Sequence, residues 1–533
     1  MKKLVCALLF AVIGRSQTDP VIKTTTRLVQ VSVIAKEHDR PVDSLKAENF
    51  HVLVDGQRQK IAFFAMESSA HPLDAAPPLE KNVYLNTMPA RGQTQTSVTI
   101  LLLDLVNTRL TDRIAAQRQM IKYLMEIPPQ ERIGVYLFNG NLRVLHNYTA
   151  DMTVFQQQLA EAKDKLVNVS KIEEPSAVQL ETSDGGSMLG SFGASAQERA
   201  FYLQNRVLGT LHVLKFIANH LAELPGRKNI VWLSGGFPIN FGLERMSNFS
   251  EDFSNEVEET IRALSDANVA IYPIDAHGLV GVPSMDASRN APPSMRAGKG
   301  RGRMPDPTGT NFLIPLHQTM DLIAQRTGGH AFYNTNGLTQ AIHEAVDDSS
   351  VSYTLGFYPE NEKYNREFHK IKVEVDQPHI SLHYRAGYLD LGQVPTDDAL
   401  RSNQLHEAVW SPLDSTELGL VVRLEHAPQG MAALNVAVGI QPRGIQLKPE
   451  GDRYTGRLDV LIVPVDSRNV PGKSQIKTLT MNLKPDTYKK FVTSGATLRD
   501  TVPVAADTKT LRIIVRDYGS GLIGSLTVPA EVQ

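Results

Sequence analysis

Cysteine is almost absent from this chain of 533 residues, since Cys6 is the only one. A small secreted scaffold held together by disulfides is therefore excluded. The length is enough for about three domains, each with a hydrophobic core. With 42% hydrophobic and 21% charged residues, the composition is ordinary for a globular protein.

An excess of charge of either sign is also missing. Lys and Arg number 55 against 57 Asp and Glu, for a formal net charge of −2. This balance argues against a dedicated nucleic-acid-binding protein, which would carry a basic excess. The basic tract at 291–307 lies among glycines and prolines and has no aromatic residues. We interpret it as a solvated loop; the alternative is a segment that binds an anionic surface.

Long hydrophobic runs are lacking apart from one near the start. Residues 4–13 form an apolar run after Lys2 and Lys3, and this run is too short to span a bilayer. The pattern predicts a signal peptide over residues 1–16, followed by a mature chain without a transmembrane segment. Cys6 precedes most of the run, whereas a lipid-attachment cysteine would follow it. We therefore expect an exported bacterial protein, either periplasmic or secreted.

The first part of the mature chain alternates in the manner of β-strands. Residues 21–67 contain such runs, with an Asp55-Gly56 turn that predicts a hairpin. We predict a small N-terminal β-module here, which strands in 351–388 can complete. Residues 68–95 are rich in proline and are interpreted as a linker.

Residues 97–348 have a different hydrophobicity pattern, in which continuous apolar runs alternate with amphipathic stretches. The run VTILLLD at 98–104 is typical of a strand buried on both faces. Strands that alternate with helices predict an α/β fold with a doubly wound, mostly parallel sheet. In 417–533 alternating strands return, and they predict a C-terminal β-sandwich of immunoglobulin-like type.

Four motifs together resemble those of the bacterial VWFA-related domain proteins, whose core is a von Willebrand factor type A domain. The motifs are ILLLDLVNT, LPGRKNIVWLSGGFP, IAQRTGGHAFYNTNGL and YTLGFYPEN. The resemblance covers about 22–390, and it implies a type A core over the α/β region. Proteins of this family are exported, and their role is poorly defined.

The resemblance also implies a metal-ion-dependent adhesion site for Mg²⁺ or another divalent cation. Asp104 matches the first Asp of the family's pattern, Thr108 matches its second Ser, and Thr210 is the candidate for its Thr. Val106 and Gly235 stand where further oxygen ligands belong, so the site is degenerate. Asn107 and Ser234 are predicted to compensate in part and to contact a partner. The alternative is that Asp104 caps the following turn and Thr108 satisfies local backbone groups.

Enzyme motifs are missing from the sequence. It has no phosphate-binding G-x-x-x-x-G-K-[ST], no strand-linked G-x-G-x-x-G and no H-E-x-x-H. Ser234 ends a strand in WLSGG, but Trp232 occupies the position where a nucleophile elbow needs glycine. We therefore predict a protein that is not an enzyme and has no catalytic residues. The alternative is a hydrolase that uses Ser234 with Asp275 or His277.

These observations favour an exported, non-enzymatic protein for protein–protein interaction or cell adhesion. Its partner would be an unidentified extracytoplasmic protein, bound at the rim of the type A domain. No nucleic-acid partner and no further cofactor are expected. A purely structural envelope protein, in which the metal site is vestigial, is a further alternative.

Overall fold

The protein is described here by a computed structural model. Both ends of the chain, and therefore the predicted signal peptide, lie outside the described residues, as does the basic tract at 291–307. The described residues are 28–38, 40–68, 80–87, 98–128, 132–148, 151–166, 196–224, 226–236, 253–278, 313–335, 337–348, 350–359, 367–389, 398–428, 432–474 and 476–531.

Two antiparallel sheets combine strands from before and after the central region of the chain. The first sheet contains β1 (Val29–Glu37), β2 (Arg40–Pro41), β5 (Ile61–Ser68), β12 (Val351–Phe357) and β14 (Ile380–Tyr384). The second contains β3 (Phe50–Val54), β4 (Gln57–Gln59), β13 (Phe368–Val375) and β15 (Gly387–Leu389), and a short 3-10 helix (Ala47–Asn49) precedes it. Inward-facing residues of both sheets, such as Val33, Val52 and Tyr353, share one core.

The middle part of the chain forms a five-stranded mixed sheet in the order β11-β10-β7-β8-β9. Its strands are β7 (Val98–Asp104), β8 (Ile133–Phe138), β9 (Leu142–His146), β10 (Lys228–Ser234) and β11 (Val269–Asp275). The first four strands in that order pair in parallel, and β9 pairs with β8 in antiparallel orientation. Every residue of β7, β10 and β11 is buried, which explains their continuous apolar sequences.

Six helices pack against the mixed sheet. They are α1 (Leu110–Glu126), α2 (Met152–Leu166), α3 (Ala196–Leu221), α4 (Ser254–Asp266), α5 (Leu313–Thr327) and α6 (Leu338–Asp347). Residues of α3, α4 and α5 form one apolar cluster with alternate residues of the strands, such as Trp232. Residues of α1, α2 and α6 form a second cluster with the intervening strand residues, such as Leu233. None of the described helices is both long and apolar enough to cross a membrane.

The C-terminal region forms two further antiparallel sheets around a common core. The first contains β6 (Val83–Leu85), β16 (Leu420–His426), β17 (Ala433–Ile440) and β21 (Ala496–Pro503). The second contains β18 (Lys448–Glu450), β19 (Arg453–Asp466), β20 (Lys477–Leu483), β22 (Thr508–Asp517) and β23 (Ile523–Pro529). Helix α7 (Asp398–Trp410) covers the outer face of the second sheet, and α8 (Pro485–Ser494) precedes β21.

The predicted fold class, an α/β protein built on a doubly wound, mostly parallel sheet, is wrong. Strands dominate the described residues, where 23 strands stand against eight α-helices. Four of the five sheets are antiparallel, and the fifth is mixed. The prediction rested mainly on residues 97–348, which contribute only five of the 23 strands. The other strands lie before and after this region, and many of them have alternating sequences. Those strands keep one face on a core and the other near solvent, which suits antiparallel pairing.

Several single elements also differ from the sequence-based expectation. Strand β6 lies in the predicted linker and pairs with β16. Helix α7 forms between residues 388 and 417, a stretch for which no element was predicted. The alternation of strands and helices predicts a further strand at 330–335, but the structure has only one bridge there, between Phe332 and Ile274. Each of these elements depends on contacts with chain segments far away in sequence, which local periodicity does not reveal.

Buried charges lie at the edge of the mixed sheet where β10 begins. The Nζ of Lys228 donates a hydrogen bond of 2.7 Å to the carbonyl of Leu224, just beyond α3. This contact places a cation near the carboxyl end of that helix, where the helix dipole favours positive charge. Burial lowers the pKa of Lys228 to about 8. The backbone N–H of Arg227 donates to the buried carboxylate of Glu67 on β5, at 2.6 Å, and so connects the mixed sheet to the first sheet.

Candidate functional site

Three polar residues meet where three parallel strands end. Asp104, Ser234 and Asp275 are the last residues of β7, β10 and β11. In the parallel ladders Ser234 pairs with Asp275, and Leu103 pairs with Leu233 one position earlier. We call this carboxyl edge of the mixed sheet, together with the residues that contact it, the rim.

Asp104 accepts four hydrogen bonds although it is 0% exposed. Its Oδ1 accepts from the backbone N–H of Asn107 at 3.0 Å. Its Oδ2 accepts from Asn107 Nδ2 at 2.6 Å, from Trp232 Nε1 at 3.1 Å and from Ser234 Oγ at 3.0 Å. The bond to the Asn107 backbone closes the turn after β7, so the alternative in which Asp104 caps this turn is confirmed.

The two threonines of the predicted metal site also have internal partners. Thr108 Oγ1 donates to the carbonyl of Asp104 and accepts from the backbone N–H of Gly235 at 2.8 Å. Thr210 Oγ1 donates to the carbonyl of Arg206 and accepts from Asn107 Nδ2, both at 2.8 Å. All five predicted site residues therefore converge in one hydrogen-bonded cluster. Asn107 and Ser234 are 8% and 0% exposed, so their side chains reach little of the surface.

The electrostatics of the cluster disfavour a charged Asp104. Burial raises the pKa of this carboxyl, and the hydrogen bonds from Asn107, Ser234 and Trp232 offset the effect only in part. A bound divalent cation would favour the ionised form. Nitrogen–hydrogen donors occupy three of the four hydrogen-bonding positions around the carboxylate, and such donors cannot ligate a cation.

The arrangement therefore does not fit a resident divalent cation. A cation would have to displace donors of Asn107 and Trp232 and would find Val106 and Gly235 where other ligands belong. Among the described residues, no group of three or more His, Cys, Asp or Glu side chains could hold a metal ion. Cation binding at Asp104, Thr108 and Thr210 stays a prediction that the geometry does not favour.

A second polar cluster at the rim surrounds Asp275, which is also 0% exposed. His277 Nδ1 lies 2.6 Å from one carboxylate oxygen, and the His277 backbone N–H donates to the same oxygen at 2.9 Å. His317 Nε2, from α5, lies 2.9 Å from the other oxygen. Burial opposes ionisation, but the two imidazoles outweigh it and hold the pKa of Asp275 well below its usual range.

Partly exposed groups extend this cluster towards solvent. Tyr333 stacks on the ring of His317 with centroids 4.3 Å apart, and its hydroxyl donates to Asp321 at 3.3 Å. Asp112 lies 3.9 Å from His277 Nε2. Tyr333 is 36% exposed, so this part of the rim is available for contact. Sequence reasoning noticed Asp275 and His277, which are two residues apart, but had no signal for His317 or Tyr333.

Gly235 lies between the two clusters. A Cβ atom at this position would lie 2.9 Å from the carbonyl oxygen of Asn107, 3.0 Å from the Cα of Thr108 and 3.3 Å from Cε1 of His277. Only glycine therefore allows the turn after β7 and the imidazole of His277 to approach β10 this closely. Gly235, which stands where the type A pattern has an oxygen ligand, is therefore required by packing.

Ser234 does not have the surroundings of a nucleophile. Its hydroxyl donates to Asp104 at 3.0 Å and also contacts the backbone of Gly236. Within the described part of the chain, no imidazole lies within hydrogen-bonding distance of this hydroxyl, and the serine is 0% exposed. Asp275 and His277 contact each other instead, so the geometry gives no support to the hydrolase alternative.

Comparisons with known proteins give little further guidance. No family model matches the chain, and no curated protein matches it. One similar solved structure is an aerotolerance-related membrane protein from Bacteroides fragilis NCTC 9343, with a TM-score of 0.23, 15% identity, and coverage of 47% of this chain and 98% of that chain. Another comprises three N-terminal domains of the type V pili tip protein Mfa5 from Porphyromonas gingivalis, with a TM-score of 0.22, 9% identity, and coverage of 88% and 77%. Both scores are below 0.5, so neither likeness indicates a shared fold.

Proposed function

We propose that this chain is an exported, non-enzymatic protein that binds a partner protein at the rim, in an interaction or adhesion role. The observation that carries the proposal is the closed hydrogen bonding of Asp104, Thr108, Ser234 and Thr210. Ser234 donates to Asp104, and Thr108 joins the backbone after β7 to that after β10, so the cluster holds the ends of these strands together. Asn107 connects Thr210 to Asp104. Such a cluster serves as a rigid base for a surface, since its polar atoms are not directed at a reacting molecule.

The contact surface in this proposal is the partly exposed part of the second cluster. Tyr333 offers an aromatic face that is rigid and costs little conformational entropy on binding. Its ring is fixed by stacking on His317, which Asp275 holds in turn. The degenerate metal site belongs to the proposal only as this base, and binding does not depend on a cation. The partner is extracytoplasmic if the predicted signal peptide directs export.

A site-specific crosslinking experiment tests the proposal. A photoreactive phenylalanine analogue replaces Tyr333, and the full mature protein is irradiated with an envelope extract of its source bacterium. We expect one crosslinked species of defined mass, and we expect its yield to be unchanged by EDTA. The matched control carries the same analogue in place of Val492, which is 51% exposed on α8 in the C-terminal region.

Two outcomes would contradict the proposal. Equal crosslinking from positions 333 and 492 would indicate nonspecific contact, and no crosslinking at 333 would indicate that the rim is not a docking surface. The hydrolase alternative predicts turnover of an ester or amide substrate by the purified protein that is lost in Ser234→Ala.

A further inference from the structure

A cavity of about 320 Å³ lies where helices of the central region meet the C-terminal region. Lys215 on α3 and Glu259 on α4 line one side, and Glu407 on α7 and the turn at Ser520 and Gly521 line the other. The volume is at the lower end of the range for small-molecule sites. The walls combine apolar and charged side chains, as ligand-binding cavities do.

A buried arginine lies directly behind the wall of this cavity. Arg516 on β22 is 0% exposed, and its Nε donates to Oε1 of Gln404 at 2.8 Å. Its Nη2 lies 3.9 Å from the place that a Cβ on Gly521 would occupy. Gln404 and Gly521 both line the cavity. Among the described residues, neither Nη1 nor Nη2 of Arg516 has a hydrogen-bond partner.

The neighbouring carboxylates form no hydrogen bond with Nη1 or Nη2 among the described residues, although Asp459 lies opposite Arg516 in the β19–β22 ladder and attracts its charge. Asp459 is held by Arg401 at 2.7 and 2.9 Å and by Thr478 at 3.0 Å. Asp517 follows Arg516 in the strand, so its side chain lies on the opposite face of the sheet. A guanidinium with two unpaired nitrogens at one edge presents the fork that a carboxylate binds in a bidentate manner. Leaving these buried donors unpaired is unfavourable, which supports an external partner.

We propose that the cavity binds a small ligand through a carboxylate, which reaches the guanidinium of Arg516 when the Gln404 amide, held at Nε, moves aside. Gln404 is only half-buried, so its side chain can move into solvent. Glu259 and Glu407, which also line the cavity, suit an amine on the same ligand, because their ion pairs with Lys215 are long, at 3.8 and 3.9 Å. Glu407 has one further partner, His212 at 3.7 Å. The ligand class is therefore a free amino acid or the carboxyl end of a short peptide. This site is separate from the rim and does not rest on the function proposed there.

Isothermal titration calorimetry of the full mature chain tests the proposal with four probes, each up to 10 mM. Alanine and trialanine carry the carboxylate, while alanine amide and trialanine amide lack it. We expect binding of at least one acid and of neither amide. Stronger binding of alanine assigns a free amino acid, and stronger binding of trialanine assigns a peptide terminus.

Variants test the roles of Arg516 and Gln404 separately. Arg516→Met should weaken acid binding about tenfold or more, because the charged bidentate contact is lost. Arg457→Met is the matched control, since Arg457 is exposed and stacks on Tyr518, and its binding should equal that of wild type. Gln404→Ala should bind the acid as tightly as wild type or more tightly, because the amide no longer covers the guanidinium.

Ala263→Phe keeps the test decisive if Arg516→Met does not fold. It fills the cavity from α4 and leaves Arg516 intact, so it should abolish binding while the thermal unfolding transition is retained. The proposal is overturned if neither acid binds to wild type or to Gln404→Ala, which would mean that the arginine nitrogens are only hydrated. It is also overturned if the amides bind equally well, or if folded Arg516→Met or Ala263→Phe retains wild-type affinity.

Discussion

Truncation of Asp104 distinguishes a structural cluster from a cation site. Asp104→Ala removes the acceptor of four hydrogen bonds. The Asn107 side chain keeps Thr210 as an acceptor, and Ser234 keeps Gly236. The Asn107 backbone N–H and the Trp232 indole N–H lose this acceptor, at about 1–3 kcal/mol each for a buried donor. Relief from burying the carboxylate offsets part of this cost, so we expect the free energy of unfolding to fall by about 2–5 kcal/mol.

Trp232 provides the assay, because its indole contacts Asp104 and is 0% exposed. The second tryptophan, Trp410, is 57% exposed and is replaced by Phe in all variants. Urea unfolding is then followed by Trp232 fluorescence in EDTA and in Mg²⁺. Asp112→Ala serves as the control, since this rim carboxylate is partly exposed and its loss should cost less than about 1 kcal/mol. The reasoning is refuted if Asp104→Ala matches wild type in EDTA while Mg²⁺ stabilises only wild type.

Three further predictions use the same fluorescence assay. The pKa of Asp275 is lowered in the folded state, so its contribution is present above the unfolded value near 3.8 and is lost as pH falls through that value towards the folded pKa. Asp275→Asn should therefore lose less stability than wild type when the pH falls from 5 to 2.5; an identical loss would show that this carboxylate does not titrate as described. The pKa of Lys228 falls from 10.5 to about 8 on folding, so wild type should gain stability between pH 8 and 10.5 while Lys228→Met does not. Gly235→Ala should destabilise by about 1–3 kcal/mol because its Cβ meets backbone atoms of Asn107 and Thr108. Gly209→Ala in α3, whose Cβ would meet Phe138 at an ordinary 3.5 Å, should instead be neutral or stabilising, and equal effects of the two changes would argue against the packing account.

Local patterns predicted several elements well. The apolar run at 98–104 forms β7 at those residues, and the Asp55-Gly56 turn lies between β3 and β4. Gly328 follows the last residue of α5 with a φ of +84°, a conformation that glycine adopts freely. These features depend on side-chain periodicity or on backbone freedom, both of which are properties of neighbouring residues.

The candidate site was predictable only in its parts. Asp104, Asn107 and Thr108 follow one strand, so their proximity could be inferred from the sequence. Their partners Trp232 and Ser234 lie 128 and 130 positions from Asp104 in the chain. The sequence alone does not show that both side chains donate hydrogen bonds to the Asp104 carboxylate. A match to the family's ligand pattern therefore suggested a cation, whereas the folded arrangement places hydrogen-bond donors around the carboxylate.

By itself the sequence determined which segments are apolar enough to be buried and where the chain turns, because these depend on composition and on spacing within a few residues. Only the tertiary structure decided that most strands pair in antiparallel sheets, that β6 joins a sheet far along the chain, and that His317 shares Asp275 with His277. Pairing and side-chain contacts of this kind are set by which distant surfaces exclude water together. Strand pairing therefore depends on the packing of the whole chain, and local sequence patterns do not predict it.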